Sequence, residues 1–351
     1  MLKAWLRYGL AEQLRFSGLL ACMERPARAG LTVLCYHRVL PEGDKERYFL
    51  SDLAVTPRAM QAHARLLQER YSVLPLREAY AAWRDGAPHD KPLAAVTFDD
   101  GYRDNFVHAK PALEAAGVRG TFFVVTGLID SSTAPWYDRM GRACARLYEQ
   151  GQLAEAVACV GETGCGPLHT GWLSRLDEIL FPIEVVEFAK SLPQESRLAL
   201  LDRLLDRAGG DDLDPTLDRI MSRDQLIALE AAGHEVASHS RTHPILHQLE
   251  GEALETELSG SRDDLTVILG KAPRSFCYPN GDHNDAVVAA VRQAGYEAAV
   301  TTRQGINLPG AAPFTLARVF VHEERLARPG GRFSASLFRL EMTPLKHRLR
   351  R

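Results

Sequence analysis

Leu93-Ala-Ala-Val-Thr-Phe-Asp-Asp-Gly101 is a short apolar run that breaks abruptly into two adjacent carboxylates and a glycine. A run of this length reads as a buried strand, and Asp-Asp-Gly reads as the turn that ends it. In parallel α/β architectures function gathers at the carboxyl ends of strands, so Asp99 and Asp100 are candidates for chemistry as well as for turning the chain. Asp-Gly alone is an ordinary solvated turn. A second stretch changes the balance: Gly233-His-Glu-Val-Ala-Ser-His-Ser-Arg-Thr-His-Pro244, another strand-like segment running into a polar loop, with His239 and His243 four positions apart. Two imidazoles at that separation can converge on one ion, and a carboxylate with two histidines is a common metal set that leaves positions open for water and substrate.

Outward from these two stretches the chain alternates. Leu31 to His37 is a β-rich run that ends in a histidine, and Thr56-Pro57 is an N-cap followed by a proline at the first helical position, with Met60, Ala64 and Leu67 on one helical face. Tyr71 to Leu76 reads as a strand, Asn105 to Ala116 as a helix capped by Gly117, and Thr121 to Val125 as a strand. Ser222-Arg-Asp-Gln225 is a capping box whose helix closes at Gly233. Leu254, Leu258 and Leu265 mark a helix over 251–269 that leads into the segment Ser275 to Gly281, then a helix through Val287 and Val291, the strand-like Tyr296 to Thr302, and a continuing alternation through Phe314 to Val321. Repeated βα units imply a parallel sheet. Residues 131–220 interrupt the rhythm with helical patterns, loop glycines between Gly161 and Gly166, and the polar turn Gly209-Gly-Asp-Asp212. They read as a helical insertion that covers or flanks the site.

The 351 residues suffice for a substantial core, and a formal charge of −3 argues against a nucleic-acid footprint. Six cysteines are scattered without a Cys-x-x-Cys pair, and Cys35 and Cys277 sit in apolar runs, so no disulfide framework is read. Residues 1–30 hold leucines interrupted by Arg7, Glu12, Arg15 and Glu24, which excludes a spanning helix and argues against an ordinary secretory signal. Leu2, Leu6, Leu10 and Leu14 recur every four residues, which fits a helix docked on the body, the preferred reading, or one lying on a membrane surface. The basic end, residues 345–351, would reinforce attachment to an anionic surface. A cytoplasmic or peripheral membrane location is the expectation.

Thr-Phe-Asp-Asp-Gly followed by His-Ser-Arg-Thr-His, in this order, resembles the NodB-type polysaccharide deacetylases, carbohydrate esterase family four. The resemblance covers roughly residues 31–322 apart from the insertion, and it implies a distorted parallel (β/α) barrel, a deacetylase domain over 31–325 with a helical insertion at about 131–220; the two ends lie outside it and read as an N-terminal amphipathic segment over 1–30 and a basic tail over 326–351. It implies that Asp99 is the general base and that Asp100, His239 and His243 hold a divalent metal, zinc first, with cobalt or another first-row ion as alternatives. Phe276-Cys-Tyr-Pro-Asn-Gly281 resembles the family's third motif, which assigns oxyanion stabilisation to a backbone N–H at Asn280 and substrate contact to Tyr278 and Pro279.

Two departures stand out. Many members carry an arginine where this chain has Cys277, and Arg318, placed with the substrate residues, is the candidate to support Asp99 from another strand. The family's late Leu-x-His tripeptide has no counterpart in Leu316 to His322; Tyr36-His37 resembles the early Tyr-His that supplies the acid in permuted relatives, so His37 is the expected proton donor. The implied activity is hydrolysis of N-acetyl groups on amino sugars of a polysaccharide or its precursor. A catalytically silent glycan-binding relative, or a hydrolase of O-acetyl esters or cyclic amides, is the alternative.

Overall fold

A computed structural model describes residues 2–163, 181–211, 213–344 and 346. Two compact units divide the chain: one comprises residues 1–45, 52–130 and 220–351, the other residues 46–51 and 131–219.

The larger unit is built on seven parallel strands: β1 (Leu31–Tyr36), β2 (Leu93–Phe98), β3 (Thr121–Val124), β4 (Glu235–Ser238), β5 (Ser275–Cys277), β6 (Ala298–Gln304) and β7 (Leu316–Phe320). Neighbours pair in sequence order from β2 to β7, and β1 pairs with both β7 (Leu34 opposite Val319) and β2 (Leu31 opposite Leu93 through Tyr36 opposite Phe98), which closes a barrel. The register slips between β6 and β7, where Leu316 faces Val300 but Arg318 faces Gln304. A two-residue strand, Ser72–Val73, lies beside the start of β2, below the point where β3 begins to pair with it. The expected strand over Tyr71 to Leu76 shrinks to this pair because Pro75 opens the helix Leu76–Arg84.

β1 and β2 are buried on both faces, as strands enclosed by helices must be. Their alternation sorts side chains into two layers. Leu31, Val33, Leu93, Ala95, Phe123, Ala237, Cys277, Val300 and Leu316 fill the barrel, while Leu34, Tyr36, Val96, Phe98, Phe122, Val124 and Val319 pack outward under the helices. At the amino ends of the strands the filling includes a polar group, Glu235, whose carboxylate accepts from Ser275 Oγ (2.8 Å), Thr121 Oγ1 (3.0 Å) and the Arg77 N–H (2.8 Å). Those three donors satisfy a carboxyl whose pKa burial raises.

Several helix boundaries follow from their sequence signals. Thr56 Oγ1 accepts from Ala59 N at the head of Pro57–Arg70, and Ser222 and Gln225 form a reciprocal capping box before Arg223–Ala231. Helix Gly251–Leu269 ends on Gly270 in the left-handed conformation. Helix Leu2–Phe16 docks through Ala11, fully buried, against the helix Ala335–Glu341, and Arg7 Nη2 donates to the Glu324 carbonyl at 3.2 Å. No helix among the described residues is long and apolar enough to cross a membrane.

The smaller unit is helical over Trp136–Glu149, Leu153–Gly161, Phe181–Ser191 and Gln194–Arg207, with Met140, Cys144, Leu147, Val185, Leu200 and Leu204 in its core. Gly164, Gly166, Asp212, Leu345 and residues 347–351 lie outside the described residues.

Candidate active site

Strand parity decides which side chains meet. Continuing the inward row past each strand's end brings Cys35 and His37 from β1, Thr97 and Asp99 from β2, His239 from β4, Cys277 from β5 and Arg318 from β7 to the carboxyl end of the barrel. Asp100 would face outward by the same count. Its φ of 72° turns the chain back, and Gly101 follows at φ 79° with its α-carbon so close to Val124 that an added Cβ would sit 2.9 Å from Cγ1.

Asp100 Oδ1 lies 3.4 Å from His239 Nε2 and 3.6 Å from His243 Nε2, and one ligand atom from each of the three falls within 4.8 Å of the others. All three residues are buried. His239 Nδ1 donates to the Cys277 carbonyl at 2.8 Å, which fixes the ring and leaves Nε2 as the inward-facing nitrogen. The loop that delivers His243 is fastened by Glu257, whose carboxylate accepts from the N–H groups of Arg241 (2.8 Å) and Thr242 (2.9 Å) and from Thr242 Oγ1 (2.6 Å). Ser240 Oγ accepts from His243 N at 3.1 Å. The donor set, two imidazole nitrogens and one carboxylate, fits a divalent first-row ion such as zinc.

Asp99 faces a different partner. Arg318, fully buried, forks onto it with Nη1 to Oδ1 and Nη2 to Oδ2 both at 2.7 Å, while Nε donates to the Thr301 carbonyl at 2.9 Å. Cys277 Sγ lies 3.4 Å from Arg318 Nη2, so the small side chain on β5 leaves the space that the guanidinium reaching over from β7 occupies. Burial by itself would raise the Asp99 pKa; the Arg318 charge and hydrogen bonds, helped by His239 and His37, override it and hold the carboxyl at about 2. Asp100 is held low as well: burial opposes, and the His239 hydrogen bond with the charges of His37 and His243 prevails. Asp99 is therefore an anion with one cation behind it.

His37 Nε2 stands 3.8 Å from Asp99 Oδ2 and is half-buried against Phe320. Burial lowers its pKa, with Asp99 and Asp100 pulling the other way. Its backbone is tied down by residues that carry no motif: Asn105 Nδ2 donates to the His37 carbonyl at 2.7 Å, and Asp104 accepts from Arg38 Nε and Val39 N, each at 2.7 Å. His322 is elsewhere, with Nδ1 at 3.0 Å from the Asp52 carbonyl.

The third-motif loop begins directly after Cys277. Asn280 adopts φ 56° and its carbonyl accepts from Thr302 Oγ1 at 3.0 Å. Four of the non-glycine residues with positive φ, Asp100, Ser240, His243 and Asn280, are on these site loops, a concentration of strained backbone of the kind that accompanies function.

Three placements differ from the sequence reading. Arg318 is sealed beneath Asp99 with no exposed surface, so it orients the carboxylate and does not present a face to substrate. Tyr278 falls on the outward parity of β5. It is fully buried beside Phe276, and its hydroxyl donates to the Phe314 carbonyl at 3.0 Å. Pro279 is buried too, which leaves its backbone, and not its ring, to shape the loop. Glu257, Asp104 and Asn105 went unread because single polar residues on helices give no spacing signal.

Residues 86–158 and 203–299 match the family profile described as Polysaccharide deacetylase. The chain is 32% identical over 85 residues to chitin deacetylase 1 of Cryptococcus neoformans, 24% of this chain and 18% of that one. It is 32% identical over 104 residues to a Bacillus subtilis protein named for polysaccharide deacetylation, 29% of this chain and 33% of that one. The chain thus aligns with a third or less of these curated relatives. Among solved structures it resembles a Streptococcus pyogenes deacetylase in complex with acetate (TM-score 0.57, 18% identity, 90% of this chain and 98% of that one). It also resembles IcaB from Ammonifex degensii (TM-score 0.52, 21% identity, 83% and 91%). These likenesses agree with the closed parallel barrel.

Proposed function

The chain belongs to the polysaccharide deacetylase family of NodB type, and from that premise we propose that it is a metal-dependent hydrolase removing N-acetyl groups from amino sugars of a glycan. The observation that carries the reading is the division of labour between neighbouring acids: Asp100 groups with both His239 and His243, while the two oxygens of Asp99 take the fork of Arg318. Asp100, His239 and His243 would hold a divalent ion, zinc first, which when bound polarises an acetyl carbonyl and acidifies water.

The remaining work belongs to the protein's own groups. Asp99, kept ionised by Arg318, accepts a proton from the attacking water as the new C–O bond forms. The oxygen charge that develops is stabilised by a backbone N–H at Asn280, whose loop is held in place by Thr302. An amine cannot leave as its anion, so a proton must reach nitrogen as the C–N bond breaks. His37, 3.8 Å from Asp99, gives its proton to the leaving amine and is recharged by the proton that Asp99 has taken. The second proton of water leaves with the acetic acid and passes to the freed amine.

The test is acetate release from a panel of N-acetylated oligosaccharides, with O-acetylated sugars and cyclic amides as competitors. Release from the N-acetyl substrates supports the reading. Preference for an O-acetyl ester or cyclic amide would move the assignment within the hydrolases, and glycan binding without release would make the chain a silent relative.

A further inference from the structure

The N-terminal helix Leu2–Phe16 is docked by one side only. At roughly 100° per residue, Trp5, Leu6, Gly9, Leu10, Gln13 and Phe16 fall within an arc of about 140° that contains no charged residue. The body covers the opposite side, around Ala11. On the open arc Trp5 is 60% exposed, Leu6 65%, Leu10 52% and Phe16 77%, and Leu19, at the head of the next helix, is 50% exposed. Half of the large apolar side chains that the described residues leave exposed are therefore within residues 5–19, where isolated exposure would need no explanation but a contiguous patch does.

We propose that residues 2–29 are an interfacial element that lays Trp5, Leu6, Leu10, Phe16 and Leu19 into the surface of an anionic lipid bilayer. Charge selects this occupant. Residues 1–30 hold five cations, Lys3, Arg7, Arg15, Arg25 and Arg28, against two acids, while the whole chain stands at −3. Both acids are turned to other work: Glu12 pairs with Arg15, and Glu24 is clamped between Arg70 and Arg339. Arg348, Arg350 and Arg351 follow in sequence after the helix Ala335–Glu341 on which this element rests. A second copy docking by the same face would bring two cationic elements together, since a twofold interface pairs each patch with itself. An anionic headgroup layer instead supplies the opposite charge, and the uncharged arc with an indole near its edge suits the boundary between headgroups and acyl chains. The docked side keeps the helix parallel to the protein's surface, so it can lie on a bilayer without leaving the body. This contact is independent of the hydrolytic reading and uses none of its residues.

The full-length protein is sedimented with vesicles of phosphatidylcholine alone and of phosphatidylcholine mixed with phosphatidylglycerol. The expected result is co-sedimentation with the mixed vesicles, about tenfold or more weaker on the neutral ones, with a blue shift of indole emission that the Trp5→Phe variant lacks. Leu6→Glu with Leu10→Glu, both solvent-facing and so compatible with the fold, abolishes sedimentation and leaves the circular dichroism and the thermal midpoint unchanged. Absence of sedimentation in the parent protein, or sedimentation that survives the double substitution, overturns the proposal. So does a concentration-dependent dimer that the double substitution dissolves, which would assign the face to a second copy of the chain.

Discussion

Replacing Arg318 by methionine tests how the base is held. Arg318 is fully buried and Asp99 is 3% exposed, so the substitution keeps most of the volume and removes the forked cation from a carboxylate that is almost enclosed. Removing one partner of a buried pair costs about 3–5 kcal/mol, because the group left behind has lost water and partner alike. The pKa points the same way: a carboxyl at about 2 in the folded protein, below its ordinary unfolded value, corresponds to stability on the order of 2–3 kcal/mol. The sign follows from the lowered folded value. That stability is fully present above the unfolded pKa, and it is lost as pH falls toward about 2. In Arg318→Met burial is opposed by His239 and His37 alone, so the folded pKa rises and the stabilising contribution of the carboxylate at neutral pH shrinks. The assay is urea unfolding of Arg318→Met, Asp99→Asn and the double variant, in chelator so that metal does not add to the folded state. Each single variant is expected to lose several kcal/mol, and the double variant less than their sum by about 2 kcal/mol or more. Additivity within about 0.5 kcal/mol would refute the coupling. Arg318→Lys is expected to recover little, since an ammonium cannot reproduce two parallel hydrogen bonds.

Four further outcomes follow from the same geometry. Asp100→Ala and His239→Ala lose bound metal and turnover together, whereas Asp99→Asn keeps the metal and loses turnover; equal metal content in all three, measured by atomic emission, contradicts the division between Asp99 and Asp100. His37→Ala retains metal but loses most of its turnover, about a hundredfold or more, along with the alkaline limb of the pH–rate profile, while His322→Ala stays near wild type. Cys277→Ser is mild, because the thiol packs and does not attack, and Cys277→Arg combined with Arg318→Ala regains part of the turnover lost in Arg318→Ala alone, which steady-state kinetics would show. Burial pushes fully enclosed His63 down to about 3. The unfolded chain therefore binds more protons between roughly pH 6.5 and 3, and stability drains by up to about 1.4 kcal/mol per unit as pH falls through that window; His63→Gln flattens that acid slope, read by thermal midpoints.

Much of the site was legible because chemistry and parity coincide. A strand that alternates inward and outward must deliver Asp99, His239 and Cys277 to one rim once the sheet closes, and the polar residues that break the apolar runs mark which end that rim is. The family resemblance supplied closure, and local periodicity could not, since pairing of β1 with β7 joins residues far apart in the chain. The same alternation, counted one residue further, sends Tyr278 outward under the helices, where a motif match alone had set it beside substrate. Arg318 was read as a possible support for Asp99, but its depth was not readable: sealing a guanidinium depends on Cys277 being small and on the β6–β7 register slip, and neither shows in β7 by itself. Glu257, Asp104, Asn105 and Glu235 were unread for a related reason. Each anchors backbone through lone side-chain hydrogen bonds across the fold, and such bonds leave no periodic trace.

The most direct measurement of the central claim is paired quantification of acetate and free amine from N-acetylated amino-sugar oligomers, using protein stripped by chelator and then reloaded with zinc. The account predicts equal amounts of the two products from the reloaded protein, none from the stripped protein and none from metal-loaded Asp99→Asn. Reloaded protein that holds zinc at one equivalent and binds the oligomers, yet frees neither product, would contradict it.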